Sequence, residues 1–207
     1  MITFYMTPGS CSTGIHVLLE ELQLVFAAHV MNLPAGDQFK PEFLAINPKG
    51  TIPVLTLDNG KSLTSFQSIA WWLAQTYPNQ SLLTKNVDTQ AQVMDMMNFI
   101  VGTIHGQGFT RIFTAERYAL REEDHPAIQQ QGHQLVSEYF NLVDLHLQHH
   151  QPYLFDTFTI ADAALFYVEF WADRLHMPLP DTCTKHLQLM RSRPIVKQVL
   201  MEEGYYK

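Results

Sequence analysis

The stretch Thr7-Pro8-Gly9-Ser10-Cys11-Ser12-Thr13 decides how the beginning of the chain folds. It follows the apolar residues 2–6, which have the length and composition of a buried strand, and precedes residues 15–24, whose spacing predicts a helix. Cys11 is therefore predicted at a strand-to-helix turn. Helix N-termini present free N–H groups and the positive end of the dipole, which favour a thiolate. The position suits a reactive sulfur or a bound anion, although a lone cysteine is more often a small buried hydrophobic residue.

The next segments extend this start into an α/β unit. Residues 25–30 predict a second strand, so the chain begins with a βαβ unit. Residues 51–57 predict a third strand, which Asn59-Gly60 connects to residues 61–63. Because an Asn-Gly pair favours a tight hairpin, these last two strands are expected to be antiparallel. The predicted sheet is therefore mixed.

A helix and a change of composition end this unit. Thr64 and Gln67 have the spacing of a capping box, with Thr64 as the cap, and predict the start of a helix. We expect an α/β domain over residues 1–77 and a polar linker over residues 78–86. The strand signal then stops, and helical spacing predicts an all-helical domain over residues 87–207.

The composition limits the partners and the location of the protein. Of 207 residues, 46% are hydrophobic, which indicates a globular chain, and a net charge of −7 argues against binding to nucleic acid. No basic flank precedes a long apolar segment, so we expect no membrane span. The two cysteines, Cys11 and Cys183, are too few for a disulfide scaffold and lack metal-ligand spacing. We therefore expect a cytoplasmic protein.

Several short motifs occur in a defined order along nearly the whole chain. They are Thr-Pro-Gly-Ser-Cys-Ser at 7–12, Phe-Leu-Ala-Ile-Asn-Pro-Lys-Gly at 43–50, Ile-Pro-Val-Leu at 52–55, Asn-Phe-Ile at 98–100 with His105 following, Phe-Thr-Ile-Ala-Asp at 158–162, Arg-Pro at 193–194 and Glu-Gly at 203–204. Together they resemble the glutathione S-transferases, specifically the bacterial beta class. The resemblance implies a thioredoxin-like N-terminal domain with a mixed four-stranded sheet and an all-α C-terminal domain, usually in a homodimer.

The resemblance also implies a role for individual residues. Pro53 is expected to follow a cis peptide bond, and the backbone of Ile52 to pair with glutathione as if adding a strand. Cys11 matches the cysteine that lies against the glutathione sulfur, and His105 matches a histidine that approaches the same sulfur. Asn98 matches an asparagine that reaches glutathione in the neighbouring subunit.

Two departures from the family pattern concern glutathione binding. Family members usually have Glu-Ser after the hairpin, which binds the charged γ-glutamyl end, whereas this chain has Ser65 and Phe66. Losing the partner of a charged group costs a few kcal/mol, equivalent to about a hundredfold in affinity. Gly106 stands where many beta-class proteins have Lys. Gln67, Ser68 and the helix N-terminus remain available for a carboxylate.

Three functions are compatible with these residues. The first is a glutathione-dependent enzyme that transfers glutathione to a small apolar electrophile, or exchanges glutathione mixed disulfides through Cys11. The second is a non-catalytic protein of the same fold that binds another protein. The third is a related enzyme that uses a different thiol, in which Ser65 and Gln67 bind the altered group.

Two further clusters have both a structural and a functional interpretation. Phe109, Phe113 and Tyr118 are candidates for the wall of a second-substrate pocket, although aromatic residues at helical spacing are more often core. The histidines at 146, 149 and 150 have a spacing that suits a metal ion, but no carboxylate or cysteine shares it. We interpret them as a solvated helix end and predict no metal site.

Overall fold

The computed structural model describes residues 1–78 and 81–206, which form two compact units. The first unit contains Met1–Leu83 and Arg191–Lys207, and the second contains Thr84–Met190. Of the expected linker, residues 79 and 80 lie outside the described residues. No described helix combines the length and the apolar character needed to span a bilayer.

The regular elements follow the predicted order of an α/β unit and then helices. They are β1 (Ile2–Met6), α1 (Ser12–Glu21), β2 (Phe26–Val30), α2 (Pro41–Leu44), β3 (Val54–Thr56), β4 (Ser62–Thr64), α3 (Phe66–Thr76), α4 (Val87–Asn98), a π-helical segment (Phe99–Phe109), α5 (Thr110–Phe113), α6 (His125–His150), α7 (Ile160–Arg174), α8 (Asp181–Ser192) and α9 (Pro194–Glu202).

The sheet of the first unit is mixed and four-stranded, as predicted. Its strand order is β2-β1-β3-β4. Strands β1 and β2 are parallel, whereas β1 and β3 are antiparallel, with Phe4 opposite Leu55. Strands β3 and β4 form the antiparallel hairpin, with Leu55 opposite Leu63, and Asn59-Gly60 lies in its turn. The hairpin predicted from the Asn-Gly pair is confirmed.

The C-terminal residues belong to the first unit. Helix α1 packs against α3 and also against α9, which follows more than 170 residues later in the chain. Arg193 on the approach to α9 forms an ion pair with Glu21 of α1, at 2.6 Å. Residues 191–207 therefore belong to the same compact unit as the sheet, whereas the expected helical domain covered residues 87–207. Within this unit α9 buries Val196 and Val199.

The cap of α3 differs from the prediction by one residue. Thr64 is the last residue of β4 and pairs with Val54, so it does not cap the helix. Ser65 caps α3 instead, and its side chain accepts a hydrogen bond from the backbone N–H of Ser68 at 3.4 Å. The prediction of Thr64 was wrong because the register of the hairpin extends the strand to this residue.

The second unit is helical, and two glycines allow its helices to approach closely. A Cβ atom on Gly108 of the π-helical segment would lie 2.6 Å from Cγ2 of Val136 on α6. A Cβ atom on Gly132 of α6 would lie 3.0 Å from the Gly108 carbonyl oxygen. A Cβ atom on Gly102, in contrast, would have no other atom within 4 Å. The tight contact between α6 and the π-helical segment therefore depends on Gly108 and Gly132.

Helix α7 is buried along most of its length and organises this unit. Thr159 caps it, and Asp162 accepts hydrogen bonds from the N–H of Thr159 at 2.7 Å and of Leu154 at 2.8 Å. His186 lies between Asp162, at 3.3 Å, and Glu169, at 2.8 Å. Burial lowers the pKa of His186, but Glu169 and then Asp162 outweigh it and raise that pKa to about 10. A buried imidazolium therefore joins α8 to α7.

Candidate functional site

The turn that carries Cys11 is held together by its own side chains. The hydroxyl of Ser12 accepts from the N–H of Thr7 and donates to the carbonyl of Thr7, both at 3.0 Å. The hydroxyl of Ser10 accepts from the N–H of Ser12 at 3.1 Å. Cys11 itself occupies the N-cap position of α1, with 9% of its surface exposed. The predicted strand-to-helix turn is confirmed, and its geometry is fixed locally.

The end of the chain supports the same turn. Glu203, which is buried, accepts hydrogen bonds at 2.7 Å from the N–H of Gly9 and from the hydroxyl of Thr13. The Tyr205 hydroxyl donates to the Pro8 carbonyl at 3.3 Å. A Cβ atom on Gly9 would lie 2.0 Å from that hydroxyl oxygen, so only glycine fits here. Sequence reasoning gave Glu203 no role beyond membership of a motif, since about 190 residues separate it from its partners.

Ile52 and Cys11 are brought together in the first unit. The Ile52–Pro53 peptide bond is cis, as the family resemblance implied. The thiol of Cys11 donates a weak hydrogen bond to the Ile52 carbonyl, with 3.7 Å between the sulfur and the oxygen. Pro53 is buried and Ile52 is half-buried. A sulfur and a peptide backbone therefore lie side by side, which is the arrangement needed to bind an extended, peptide-like thiol.

The Cys11 thiol is neutral over the physiological pH range. Burial raises its pKa from 9.0 to about 12, although the backbone N–H groups of Cys11 and Ser12 act in the opposite direction. The N–H groups of the helix N-terminus act in the predicted direction, but loss of hydration outweighs them, so the thiol keeps its proton. A neutral thiol is a hydrogen-bond donor rather than a nucleophile.

Ser65 and Phe66 begin α3 in the same unit. The Ser65 hydroxyl donates to the Ser68 hydroxyl at 3.0 Å, and Phe66 is only 2% exposed. The ammonium of Lys49 donates to the hydroxyl of Thr64 at 2.9 Å, one residue before Ser65. Lys49 was not predicted as a site residue, since it lies in a loop 15 residues earlier. It supplies a positive charge beside the start of α3.

His105 and Asn98 belong to the second unit. Nδ1 of the half-buried His105 lies 3.2 Å from the Tyr167 hydroxyl, and its ring meets Trp171 edge to face at 4.9 Å. Burial lowers the pKa of His105 to about 4, so the ring is neutral near neutral pH. Asn98 is exposed and is the last residue of α4.

The three candidate pocket aromatics have different environments. Phe109 is fully buried, which makes it core, whereas Phe113 is 49% and Tyr118 39% exposed. Phe113 stacks on Phe109 with 5.7 Å between the ring centroids, and Trp171 meets both rings at 5.3 Å. Trp171 was missed by the sequence analysis because it lies in a uniformly apolar helix, where nothing distinguishes it from core.

Of the three histidines at the end of α6, His149 and His150 are exposed, as predicted, whereas His146 is partly buried. Nε2 of His146 lies 2.6 Å from the Leu154 carbonyl, so this nitrogen donates a hydrogen bond to it. The rings of His146 and His150 stack with 4.5 Å between their centroids. Burial lowers the pKa of His146. His146 is therefore a partly buried ring that closes the end of the helix.

Comparison with known proteins gives a consistent result over the whole chain. The profile of the glutathione S-transferase N-terminal domain matches residues 9–76, and that of the C-terminal domain matches residues 119–198. Glutathione S-transferase GstA of Escherichia coli O157:H7 is 31% identical over 99% of both chains.

Solved structures agree with these matches. A glutathione transferase homologue from Sulfitobacter, solved with bound glutathione, is 27% identical, with a TM-score of 0.91 over 100% of this chain and 99% of that chain. A bacterial beta-class glutathione S-transferase from Sphingomonas chungbukensis has the same fold at 24% identity, with a TM-score of 0.84 over 99% of this chain and 100% of that chain.

Proposed function

The chain belongs to the glutathione S-transferase family, and from this premise we propose that it transfers glutathione to a small apolar electrophile in the cytoplasm. The observation that carries the proposal is the Cys11 thiol beside the carbonyl of Ile52, at 3.7 Å. A tripeptide thiol that pairs with the Ile52 backbone would bring its sulfur to Cys11. That the Sulfitobacter homologue holds glutathione supports this choice of ligand.

In this proposal glutathione supplies the nucleophile and Cys11 supplies a hydrogen bond. With a pKa of about 12, the Cys11 thiol keeps its proton and donates a hydrogen bond to the glutathione thiolate. The glutathione sulfur forms a bond to carbon as the leaving group departs with its electron pair. The proton of the glutathione thiol goes to solvent or to a neutral base. The role of His105 at this sulfur stays a prediction from the family resemblance, and burial lowers the pKa of its ring to about 4, so the ring is uncharged near neutral pH.

Exchange of glutathione mixed disulfides through Cys11 is a slower activity of the same site. The Cys11 thiolate would attack one sulfur of the disulfide, forming a Cys11–glutathione disulfide and releasing the other half as a thiolate. A second glutathione thiolate would then attack the glutathione sulfur, releasing Cys11 and glutathione disulfide. Because the first step needs the thiolate, its rate should rise with pH through the alkaline range.

The remaining site residues are assigned to binding. We place the γ-glutamyl end of glutathione at the start of α3, where Ser65 caps the helix, Phe66 is its first residue and the Lys49 ammonium donates to the Thr64 hydroxyl. A homodimer is proposed in which Asn98 contacts glutathione of the partner, and the exposure of Asn98 at the end of α4 is consistent with that role.

One observation favours a second candidate, a non-catalytic protein of this fold that binds another protein. Phe66 stands where the family has a small hydroxyl residue, and its ring is 2% exposed. Ser65, in turn, offers no carboxylate to the ammonium of glutathione. A site altered in this way holds the ammonium of glutathione poorly, because Lys49 and the helix N-terminus can hold only its carboxylate.

Calorimetric titration of glutathione into wild type, Cys11→Ala and the double variant Ser65→Glu with Phe66→Ser separates these functions. Binding in the micromolar to low-millimolar range that changes in Cys11→Ala, with conjugation of a test aromatic electrophile, is the expected result. Tighter binding by the double variant is expected if Ser65 and Phe66 weaken the γ-glutamyl site. An absence of heat in all three proteins would contradict the transferase and favour the protein-binding alternative.

A further inference from the structure

A histidine and two glutamates converge where the two helices α1 and α9 meet. His16 and Glu20 lie four residues apart on α1, so their side chains share one face of that helix. Glu202 is the last residue of α9. One side-chain donor atom from each of the three residues lies within 4.8 Å of the others. Residues four apart on a helix can bind one metal ion, as two histidines do in zinc proteases, and a carboxylate from another element can complete such a site.

The distances suit a small divalent ion. Nε2 of His16 lies 3.2 Å from Oε2 of Glu202. In a tetrahedral zinc site with bonds of about 2.0 to 2.2 Å, neighbouring ligand atoms are separated by about 3.2 to 3.6 Å. The first two ligands therefore already have the required separation. Glu20 is half-buried and has a flexible side chain, so a torsional change brings its carboxylate to the same distance.

A buried carboxylate orients the histidine. Oε1 of Glu203 lies 2.9 Å from Nδ1 of His16, and both residues are buried. In the neutral imidazole, donation from Nδ1 to Glu203 leaves the lone pair of Nε2 directed toward Glu202. This carboxylate–histidine pair is the outer-shell arrangement that fixes the ring in metal sites and makes it a better ligand. Glu203 is itself fixed by Gly9 and Thr13.

The charges around the imidazole also favour a cation. Glu20, Glu202 and Glu203 surround one histidine, and the amide of Gln198 donates to Glu20 at 3.2 Å and to Glu202 at 2.9 Å. Two carboxylates are thus held together against their repulsion. Imidazole with carboxylate oxygens suits Zn²⁺ or Co²⁺ better than Mg²⁺ or Ca²⁺.

We propose that His16, Glu20 and Glu202 bind one divalent transition-metal ion, which fastens α9 to α1. Glu203 positions His16 and holds the Gly9 amide, so the ion would also stiffen the segment on which the Cys11 turn rests. The proposal is independent of the proposed transferase function, because none of its three ligands is assigned to glutathione.

Titration of the metal-free protein with Co²⁺, followed by visible absorption, tests the site. We expect one equivalent to bind, with ligand-field bands of nitrogen and oxygen ligands and without a sulfur-to-cobalt charge-transfer band. Competition with Zn²⁺ should displace the Co²⁺. Glu202→Gln and Glu20→Gln should each weaken binding by about tenfold or more. Glu138→Gln, which changes an exposed glutamate of α6, is the matched control and should bind as the wild type does.

Thermal unfolding gives a second readout. Zn²⁺ should raise the unfolding temperature of the wild type and of Glu138→Gln, and should not raise that of Glu202→Gln. Glu202 is exposed, so its replacement should leave the fold intact, which circular dichroism checks. Equal Co²⁺ affinity in wild type and Glu202→Gln would overturn the proposal. A charge-transfer band lost in Cys11→Ala would overturn it as well, since the metal would then be at the thiol.

Discussion

The protonation state of Cys11 can be tested by its reactivity as a function of pH. Burial raises the pKa of this thiol from 9.0 to about 12. A shift of about three units corresponds to about 4 kcal/mol between the two protonation states. At about pH 8, the thiolate fraction falls from about one in ten to about one in ten thousand. We therefore expect the alkylation rate of Cys11 by iodoacetamide to rise about tenfold per pH unit, with no plateau below about pH 10.

The assay follows the Cys11 peptide by mass spectrometry after short reactions, which separates it from the peptide of Cys183. Stability gives an independent check. Since the folded state raises this pKa, the stabilisation from the neutral thiol is present below the unfolded value of 9.0 and is lost as the pH rises toward about 12. The Cys11→Ala variant should not show this loss of stability at alkaline pH. An alkylation rate that levels off between about pH 6 and about pH 9 would refute the reasoning, because it would reveal a thiolate near neutrality.

Three other predictions test the packing and charges of the second unit. Gly108→Ala should cost about 1 to 3 kcal/mol in urea unfolding, because its Cβ would lie 2.6 Å from Cγ2 of Val136, whereas Gly102→Ala, which meets open space, should cost nothing. The wild type should lose stability between pH 6.5 and about 10, because the folded state raises the pKa of His186, and His186→Gln should flatten this dependence in urea midpoints. Thr159→Ala should lower stability by about 1 kcal/mol in thermal unfolding, through loss of the α7 cap.

Most of the fold could be predicted because its signals are local. The short apolar run of β1 and the Asn-Gly pair of the hairpin each specify structure within a few residues. The cap of α3, in contrast, is not determined by local sequence signals. Thr64 and Ser65 are both good caps, and only the pairing of Thr64 with Val54 across the sheet decides between them.

The residues of the candidate site that lie close together in the sequence were also easier to predict than those that lie far apart. The Cys11 turn was found because its glycine, proline and hydroxyl residues are consecutive and bond to one another. Glu203 and Tyr205 support the same turn, yet no periodicity connects them to residues at the other end of the chain. Lys49 was missed for a similar reason, since only the folded loop brings its ammonium to Thr64.

The charge of Cys11 could not be predicted from the effect of the helix N-terminus alone, because that effect has to be compared in size with the effect of burial. A helix N-terminus stabilises an anion by about 0.3 to 1 kcal/mol at an exposed site, whereas full burial moves a pKa by as much as about 3 to 5 units. The sequence shows that Cys11 lies at a helix N-terminus. It does not show that Cys11 is buried, because burial depends on how the whole unit folds. The larger effect makes Cys11 a neutral donor. Such a donor is suited to binding an anionic sulfur, since a second thiolate at the same place would repel it.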